Sequence, residues 1–322
     1  MSKRIFYASH AVEVTNSLAT VFTGAVPGAQ SVSINTNYNL EQVFQLGRLA
    51  LYDNFPANPE VEVTINKALD GYPLIWNYFT GVNSKSLQEA SNDQATITLG
   101  VGDDDDADGV IGPLNTAITM TGCYVSSLNY TFPVEGNFTE ELSFVGNHKV
   151  AGGFLSAPPP EDPSLRIIRR QNFRMDDSVL PNGIADRCLQ NVTISADLGR
   201  EAIYCLGDYG AFHRYVNFPL EITVAFDVHQ KAEAPICGPD LDAFNVEQCR
   251  APVGIEKEEI IIRICRTLEG EAAVQIAYEF DLGSGCALQS VSYSGGDTGG
   301  GNVTETHTYI TYNELTITYT PA

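Results

Sequence analysis

Residues 102–112, GDDDDADGVIG, hold the densest set of cation-ligating groups in the chain. Asp104, Asp106 and Asp108, followed by Gly109 and then Ile111, reproduce the D-x-D-x-D-G opening of a calcium loop, in which alternate side chains supply oxygen ligands. The pattern breaks where such a loop should close. Its twelfth position, which needs a bidentate Glu, holds Asn115, and Gly112-Pro113 stands where a second helix should begin. The five aspartates Asp103, Asp104, Asp105, Asp106 and Asp108 are therefore expected to form a solvated, self-repelling loop tip, with no metal or other cofactor.

Catalytic chemistry finds no better footing. The histidines His10, His148, His213, His229 and His307 share no metal spacing, and no G-x-S-x-G, Walker or dinucleotide-binding glycine pattern occurs. The sequence predicts no enzyme. The seven cysteines form no C-x-x-C pair; Cys237 and Cys249 stand nearest to a disulfide spacing, and most of the others read as small buried apolar groups. One basic cluster, Arg166, Arg169, Arg170 and Arg174, is expected either to lie in a surface strand or to meet an acidic surface of a neighbouring subunit.

The 322 residues carry 18 basic against 40 acidic side chains, a net charge of −22. The acidity is shared: residues 1–160 hold 6 basic and 16 acidic groups, residues 161–322 hold 12 and 24. Such a surface repels nucleic acid, because affinity for DNA comes from cationic contacts to phosphate. No run resembles a membrane span, and the N-terminal MSKRIFYASHAVEV lacks the apolar core of a signal peptide, so folding in a cytoplasm is expected. The sequons NFT and NVT carry no meaning without one.

The chain is written twice. QSVSINTNYNLEQVFQLG (30–47) aligns without gaps on QNVTISADLGREAIYCLG (190–207), with Gln30/Gln190, Val32/Val192, Ile34/Ile194, Glu41/Glu201, Leu46/Leu206 and Gly47/Gly207 identical. A proline then precedes an alternating stretch in each copy, PEVEVTI and PLEITVAF; TGCYVSSLNY (121–130) matches SGCALQSVSY (284–293), and GNFTE (136–140) matches GNVTE (301–305). Ordered anchors at offsets of 160 to 165 mark an internal duplication. Proline-rich APPPEDP divides the copies, giving domains 1–156 and 164–322 around a linker 157–163.

Period-two alternation in SVSINT, VEVTIN, ATITLGV, ELSFVG and, in the second copy, NVTISA, EITVAFDV, EIIIRICR, AVQIAYEF and ELTITYT predicts antiparallel strands with one wet face. The fold class is mainly β: two tandem β-sandwich or barrel domains, each with one or two short helices. NLEQVFQL (39–46), with Asn39 as cap, Gln42 three places on and Leu40, Val43 and Phe44 on one face, is expected to be helical, and SKSLQEAS (84–91) a further helical turn. Aligning the copies sets the aspartate run opposite CRTLEGEA (265–272), so both form the tip of a β-hairpin.

LGRLALYDNFPANPEVEVTI (46–65) and LGDYGAFHRYVNFPLEITVAFDV (206–228) resemble a segment of the tail tube proteins of tailed bacteriophages, and FPVEGNFTEELSFVGNHK (132–149) resembles the late segment of that family. The second copy departs there, with SGGDTGGGNVTE in place of FPVEGNFTE. The resemblance implies tail-tube domains joined edge to edge into rings, whose inner strands form one continuous barrel, with the rings stacked into a tube. A duplicated chain would complete a pseudo-sixfold ring with three copies of itself. Its other partners would be further tail proteins, with or without a sheath, and its place the virion tail, assembled in the host cytoplasm.

A conduit for double-stranded DNA should not bind it, and a carboxylate-lined lumen repels phosphate over about 8–10 Å. Glu60, Glu62, Glu221, Asp227 and Glu279, outward-facing on the alternating stretches, join the aspartate run as candidates for the lumen or the contact between rings. The inner tube of a contractile injection or secretion apparatus is the alternative within this class; a calcium-binding tandem β-sandwich adhesion module is the alternative outside it.

Overall fold

The alternating stretches become strands. In the first half these are β1 (His10–Asn16), β2 (Ala29–Asn37), β3 (Leu40–Phe44), β4 (Leu51–Pro56), β5 (Glu60–Ala68), β6 (Ser84–Ser86), β7 (Ala95–Val101), β8 (Thr116–Pro133), β9 (Thr139–Gly146) and β10 (His148–Ala151). In the second they are β11 (Cys188–Asp197), β12 (Glu201–Tyr204), β13 (Ala211–Tyr215), β14 (Glu221–His229), β15 (Ile261–Thr267), β16 (Val274–Asp281), β17 (Ala287–Ser294), β18 (Thr304–Tyr312) and β19 (Thr316–Tyr319). The structure, a computed structural model, describes residues 10–16, 21–22, 24–47, 49–56, 59–101, 116–152, 165–175, 178–181, 184, 188–208, 210–229, 257–267, 274–294 and 304–321. The aspartate run, the segment 157–163 and Cys237 and Cys249 lie outside the described residues.

One antiparallel sheet runs in the order β17-β18-β14-β11-β8-β9-β5-β2. Its two ends are the same four-strand unit, β2-β5-β9-β8 and β11-β14-β18-β17, and the pairing registers agree residue for residue. Ser31 opposite Asn66 recurs as Asn191 opposite Asp227, and Tyr124 opposite Val145 recurs as Ala287 opposite Ile310. Irregularities recur too: the register shifts at Ala29/Ser31 and at Leu189/Asn191, and again at Val125/Ser127 and at Leu288/Ser290. The halves meet where β8 pairs with β11, Ile194 opposite Tyr130. A second layer holds the sheet β15-β16-β19-β6, in which β6 of the first half pairs with β19 of the second.

The inward-facing residues of the long sheet are apolar and buried, among them Val63, Ile65, Leu142, Phe144, Leu128, Tyr130, Val192, Ile194, Val224 and Phe226. They pack on second-layer residues in one continuous core. Phe280 of β16 touches both Tyr130 and Phe132 of β8, at centroid distances of 4.7 and 5.4 Å, so the two halves share that core. Each such side chain contributes about 1.5–3 kcal/mol through burial.

The stretch expected to be helical at 39–46 is instead a strand-turn-strand hairpin, β3 paired with β4. Asn39 does not cap a helix. It adopts φ 44°, and its N–H donates to Asn37 Oδ1 at 3.0 Å, a turn that sends the chain out of β2. The second copy repeats it: Gly199 at φ 49° donates to Asp197 Oδ1 at 2.9 Å before β12, which pairs with β13. Within 84–91, Ser84–Ser86 is strand, and a 3-10 turn spans Glu89–Asn92.

The α-helix of the first half lies elsewhere. α1 (Ile75–Thr80), IWNYFT, is buried on every side, so it carries no 3.6-residue stripe. Gly81, left-handed at φ 71°, ends it. Its start is set by Glu140 of β9, whose carboxylate accepts the N–H groups of Ile75 (2.6 Å) and Trp76 (3.1 Å) and the hydroxyl of Tyr130 (3.0 Å). Among the described residues of the second half there is no α-helix, only a 3-10 turn at Arg170–Asn172.

Burial raises the Glu140 carboxyl from 4.5 to about 7, against the lowering effect of the two helix N–H groups. The folded state therefore keeps a proton that the unfolded chain releases. This contribution is fully present below pH 4.5, falls away as pH rises to about 7, and is constant above. Glu140→Gln should flatten that loss, removing about 3 kcal/mol of pH dependence, read from melting curves at pH 5 and pH 7.5.

Candidate functional site

Among the described residues, one face of the long sheet is covered and the other is uncovered. Ser31, Ser33, Asn35 and Asn37 of β2, Thr64 and Asn66 of β5, Ser127, Asn129 and Thr131 of β8, Thr193 and Ser195 of β11, and Thr306 and Thr308 of β18 line up cross-strand on the uncovered side. Six carboxylates join them there: Glu60, Glu62, Glu141, Asp197, Glu221 and Asp227. Among the described strand residues of that face there is no lysine or arginine. Lys67 of β5 turns the other way, fully buried, with Nζ 2.8 Å from Asp70 Oδ1. A shallow groove lined by Ser127, Asn129, Ser195, Asp197, Glu221 and Thr223 crosses the β8–β11 joint.

Among the described strands, β2 stands at one end of the sheet and β17 at the other. Each duplicates a strand that is paired on both sides at the joint: β2 duplicates β11, and β17 duplicates β8. The burial differs accordingly. Tyr130 and Ile194 at the joint are 0 % exposed, whereas Tyr293 is 45 % exposed and Ile34 is partly buried.

Two hairpins, β3–β4 and β12–β13, leave the sheet with matching registers, each with a shift before its last pair. Both expose apolar side chains; Leu46, Leu49 and Leu206 are fully exposed, and Phe44, Tyr52, Phe55 and Phe212 are exposed.

The structure divides the sequence-predicted residues into groups. Glu60, Glu62, Glu221 and Asp227 share the uncovered face. Glu60 binds Arg214 at 2.6 Å, and Asp227 accepts from Asn191 Nδ2 (3.2 Å) and Thr306 Oγ1 (2.6 Å). Glu279 is apart, in the second layer, where Arg263 Nε donates to it at 2.6 Å. Asp103, Asp104, Asp105, Asp106 and Asp108 lie outside the described residues, between β7 and β8, which pair up to Val101 opposite Thr116. The cluster Arg166, Arg169, Arg170 and Arg174 is not a strand; Arg169 Nε donates to Asn137 Oδ1 at 3.1 Å, and Arg166 and Arg170 are exposed. Glu141 and Asp197 were missed, although alternation from Glu62 and Glu221 through the pairing strands reaches both.

Cys123 and its duplicate Cys286 are buried, and burial pushes both thiols up to about 12. Cys188 and Cys205 are exposed. Among the described residues no three His, Cys, Asp or Glu side chains gather in the manner of a metal site. No protein-family model matches the chain, and no curated protein is similar enough to count as a relative.

Proposed function

We propose that the chain is the subunit of a hollow tube, the tail tube of a tailed bacteriophage, built from two fused tube domains of 1–156 and 164–322. One observation carries this reading: among the described strands the β8–β11 joint occurs once inside the chain, and duplicates of its two faces form the two ends of the sheet. A head-to-tail contact that closes by rotation makes a ring, and a ring removes the exposed edges. Carried over to β17 of one chain and β2 of the next, the joint's register pairs Ser294 with Ser33, Tyr293 with Ile34, Ser292 with Asn35, Val291 with Thr36 and Ser290 with Asn37.

Three chains would close a 24-stranded barrel. At about 4.8 Å per strand its circumference is about 115 Å and its backbone diameter about 37 Å, and strand tilt widens it. With about 5 Å of side chain on each side, a hole of about 27 Å remains, enough for a B-form duplex. The apolar face is already covered by the second layer, so the Ser/Thr/Asn face with its six carboxylates lines the hole. Phosphate meets acceptors and like charge, and the duplex slides. Stacked rings would cover the leucines at the hairpin tips, and the subunit would belong to the virion tail after assembly in the host cytoplasm. The inner tube of a contractile injection apparatus would share the ring but has no need of a DNA-repelling wall.

Negative-stain electron microscopy of the purified chain tests this reading. Rings or tubes with a central hole of duplex width are expected; a uniform monomer at high concentration would contradict it.

A further inference from the structure

The two hairpins are duplicates, yet the contacts among the described residues that clamp a hairpin to the body of the chain are those of β12–β13. Arg200, just before β12, donates from Nε to the carbonyl oxygen of Val125, from Nη2 to that of Ser91 at 2.8 Å and from Nη1 to that of Arg214 at 3.0 Å, and its guanidinium stands 4.8 Å from the Tyr124 ring centroid. His213 Nδ1 lies 2.9 Å from Tyr124 Oη, with the rings edge to face. Arg214, 4 % exposed, binds Glu60 at 2.6 Å, and Asn147 Nδ2 donates to Ala211 O at 2.6 Å. The second hairpin thus sits on the first half through a charged and aromatic clamp.

Following the duplication, most of the clamp's residues have a counterpart. On the hairpin, Arg200 becomes Leu40, Ala211 becomes Leu51, His213 becomes Asp53 and Arg214 becomes Asn54. On the seat, Tyr124 becomes Ala287, Asn147 becomes Tyr312 and Glu60 becomes Glu221. Both sides changed together. The arginine over a tyrosine becomes a leucine over an alanine, alanine beside asparagine becomes leucine beside tyrosine, and the ion pair becomes an amide opposite a carboxylate. Leu40 is 66 % exposed and Tyr312 is 47 % exposed.

We infer that the β3–β4 hairpin of one chain seats on the second half of the neighbouring chain, with Leu40 against Ala287 and Leu51 against Tyr312, through a mainly apolar contact unlike the charged clamp inside the chain. The inference rests on the ring reading above and extends it from the strand edges to the hairpins. The consequence is specificity. At the apolar seat Arg200 would find Ala287 in place of the Tyr124 ring, and at the clamp Leu40 would leave Tyr124, and Asn54 would leave Glu60, without the arginine that each meets inside the chain. First and second halves therefore alternate around the ring, and slipped or like-to-like closures are disfavoured.

The test uses the full chain and mass photometry across a dilution series. Leu40→Glu should raise the concentration at which rings dissociate at least tenfold, with unchanged circular dichroism. Adding Ala287→Lys should restore rings, now sensitive to salt between 50 and 500 mM. Rings of the Leu40→Glu chain as stable as those of the unsubstituted chain would overturn the seat, and so would disruption that Ala287→Lys fails to rescue. If the unsubstituted chain forms no ring at any concentration, the ring reading itself fails and the seat falls with it. The double variant Asn35→Cys with Ser292→Cys separates the cases, because a disulfide between those two positions reads the strand edge without the hairpin.

Discussion

Tyr293→Asp should leave a folded monomer of 34.9 kDa where the unsubstituted chain assembles. Tyr293 occupies, on the open edge β17, the place that Tyr130 occupies at the internal joint. There Tyr130 is fully buried opposite Ile194. In the proposed ring β17 would meet β2 of the next chain and bury Tyr293 opposite Ile34, and a carboxylate at that place would lose its water with no cation to replace it. Stranding a charge in this way costs several kcal/mol at each interface. A three-membered ring contains the defect three times, so a dissociation constant shifted by about a thousandfold or more is expected. Tyr293→Phe should assemble normally. Mass photometry separates the monomer from a ring of about 105 kDa, three times the chain mass. Circular dichroism should not change, because the substituted side chain lies at an edge.

The second large effect concerns the uncovered face. Glu62→Lys, Glu141→Lys and Glu221→Lys together place nine lysines in each proposed ring of three and cancel the net charge of the face, leaving three carboxylates against three lysines per chain. All three residues are exposed on the uncovered face. The unsubstituted assembly should show no affinity for double-stranded DNA at 50 mM salt. The variant should bind short linear duplex and lose that affinity by about 10³-fold or more between 50 and 200 mM salt, because each phosphate contact releases counterions. A closed wall adds a topological signature: linear duplex can thread the hole and a covalently closed circle cannot. Equal binding of circle and linear duplex would put the lysines on the outside.

Much of this fold was legible in the sequence because its two strongest signals are periodic. Alternation located the strands of the long sheet, including VEVTIN, ELSFVG and EITVAFDV, since a strand with one wet face must alternate. The duplication supplied the equivalences that the pairing registers repeat down to their irregular points. What was missed is non-local. NLEQVFQL has helical spacing of its apolar residues, but they are exposed side chains on a projecting hairpin, and the Asn37–Asn39 turn decides the backbone. IWNYFT shows no stripe because every side of it is buried, and its N-terminus is fixed by Glu140, far away in sequence. Of the candidate site, Glu60, Glu62, Glu221 and Asp227 follow from alternation, whereas Glu279 alternates equally well in a different sheet. Which sheet a strand joins depends on pairing, which alternation does not encode. The difference between the two hairpins was likewise invisible before their contacts were known, because Arg200 and Arg214 read as ordinary surface charge until Tyr124 and Glu60 are seen beneath them.

The central claim is that the joint inside the chain is repeated between chains, and cysteine pairs at the projected register test it most directly. Two double variants suffice, Asn35→Cys with Ser292→Cys on the uncovered face and Ile34→Cys with Tyr293→Cys on the core face, in a background with Cys188, Cys205, Cys237 and Cys249 replaced by serine. Directly opposed residues of antiparallel strands have Cα atoms about 4.5–5.5 Å apart, within reach of a disulfide. Mild oxidation should give a covalent closed trimer from at least one double variant and nothing from any single variant. Monomer alone from both doubles, or crosslinks that appear only when either pair is shifted by one residue, would contradict the account.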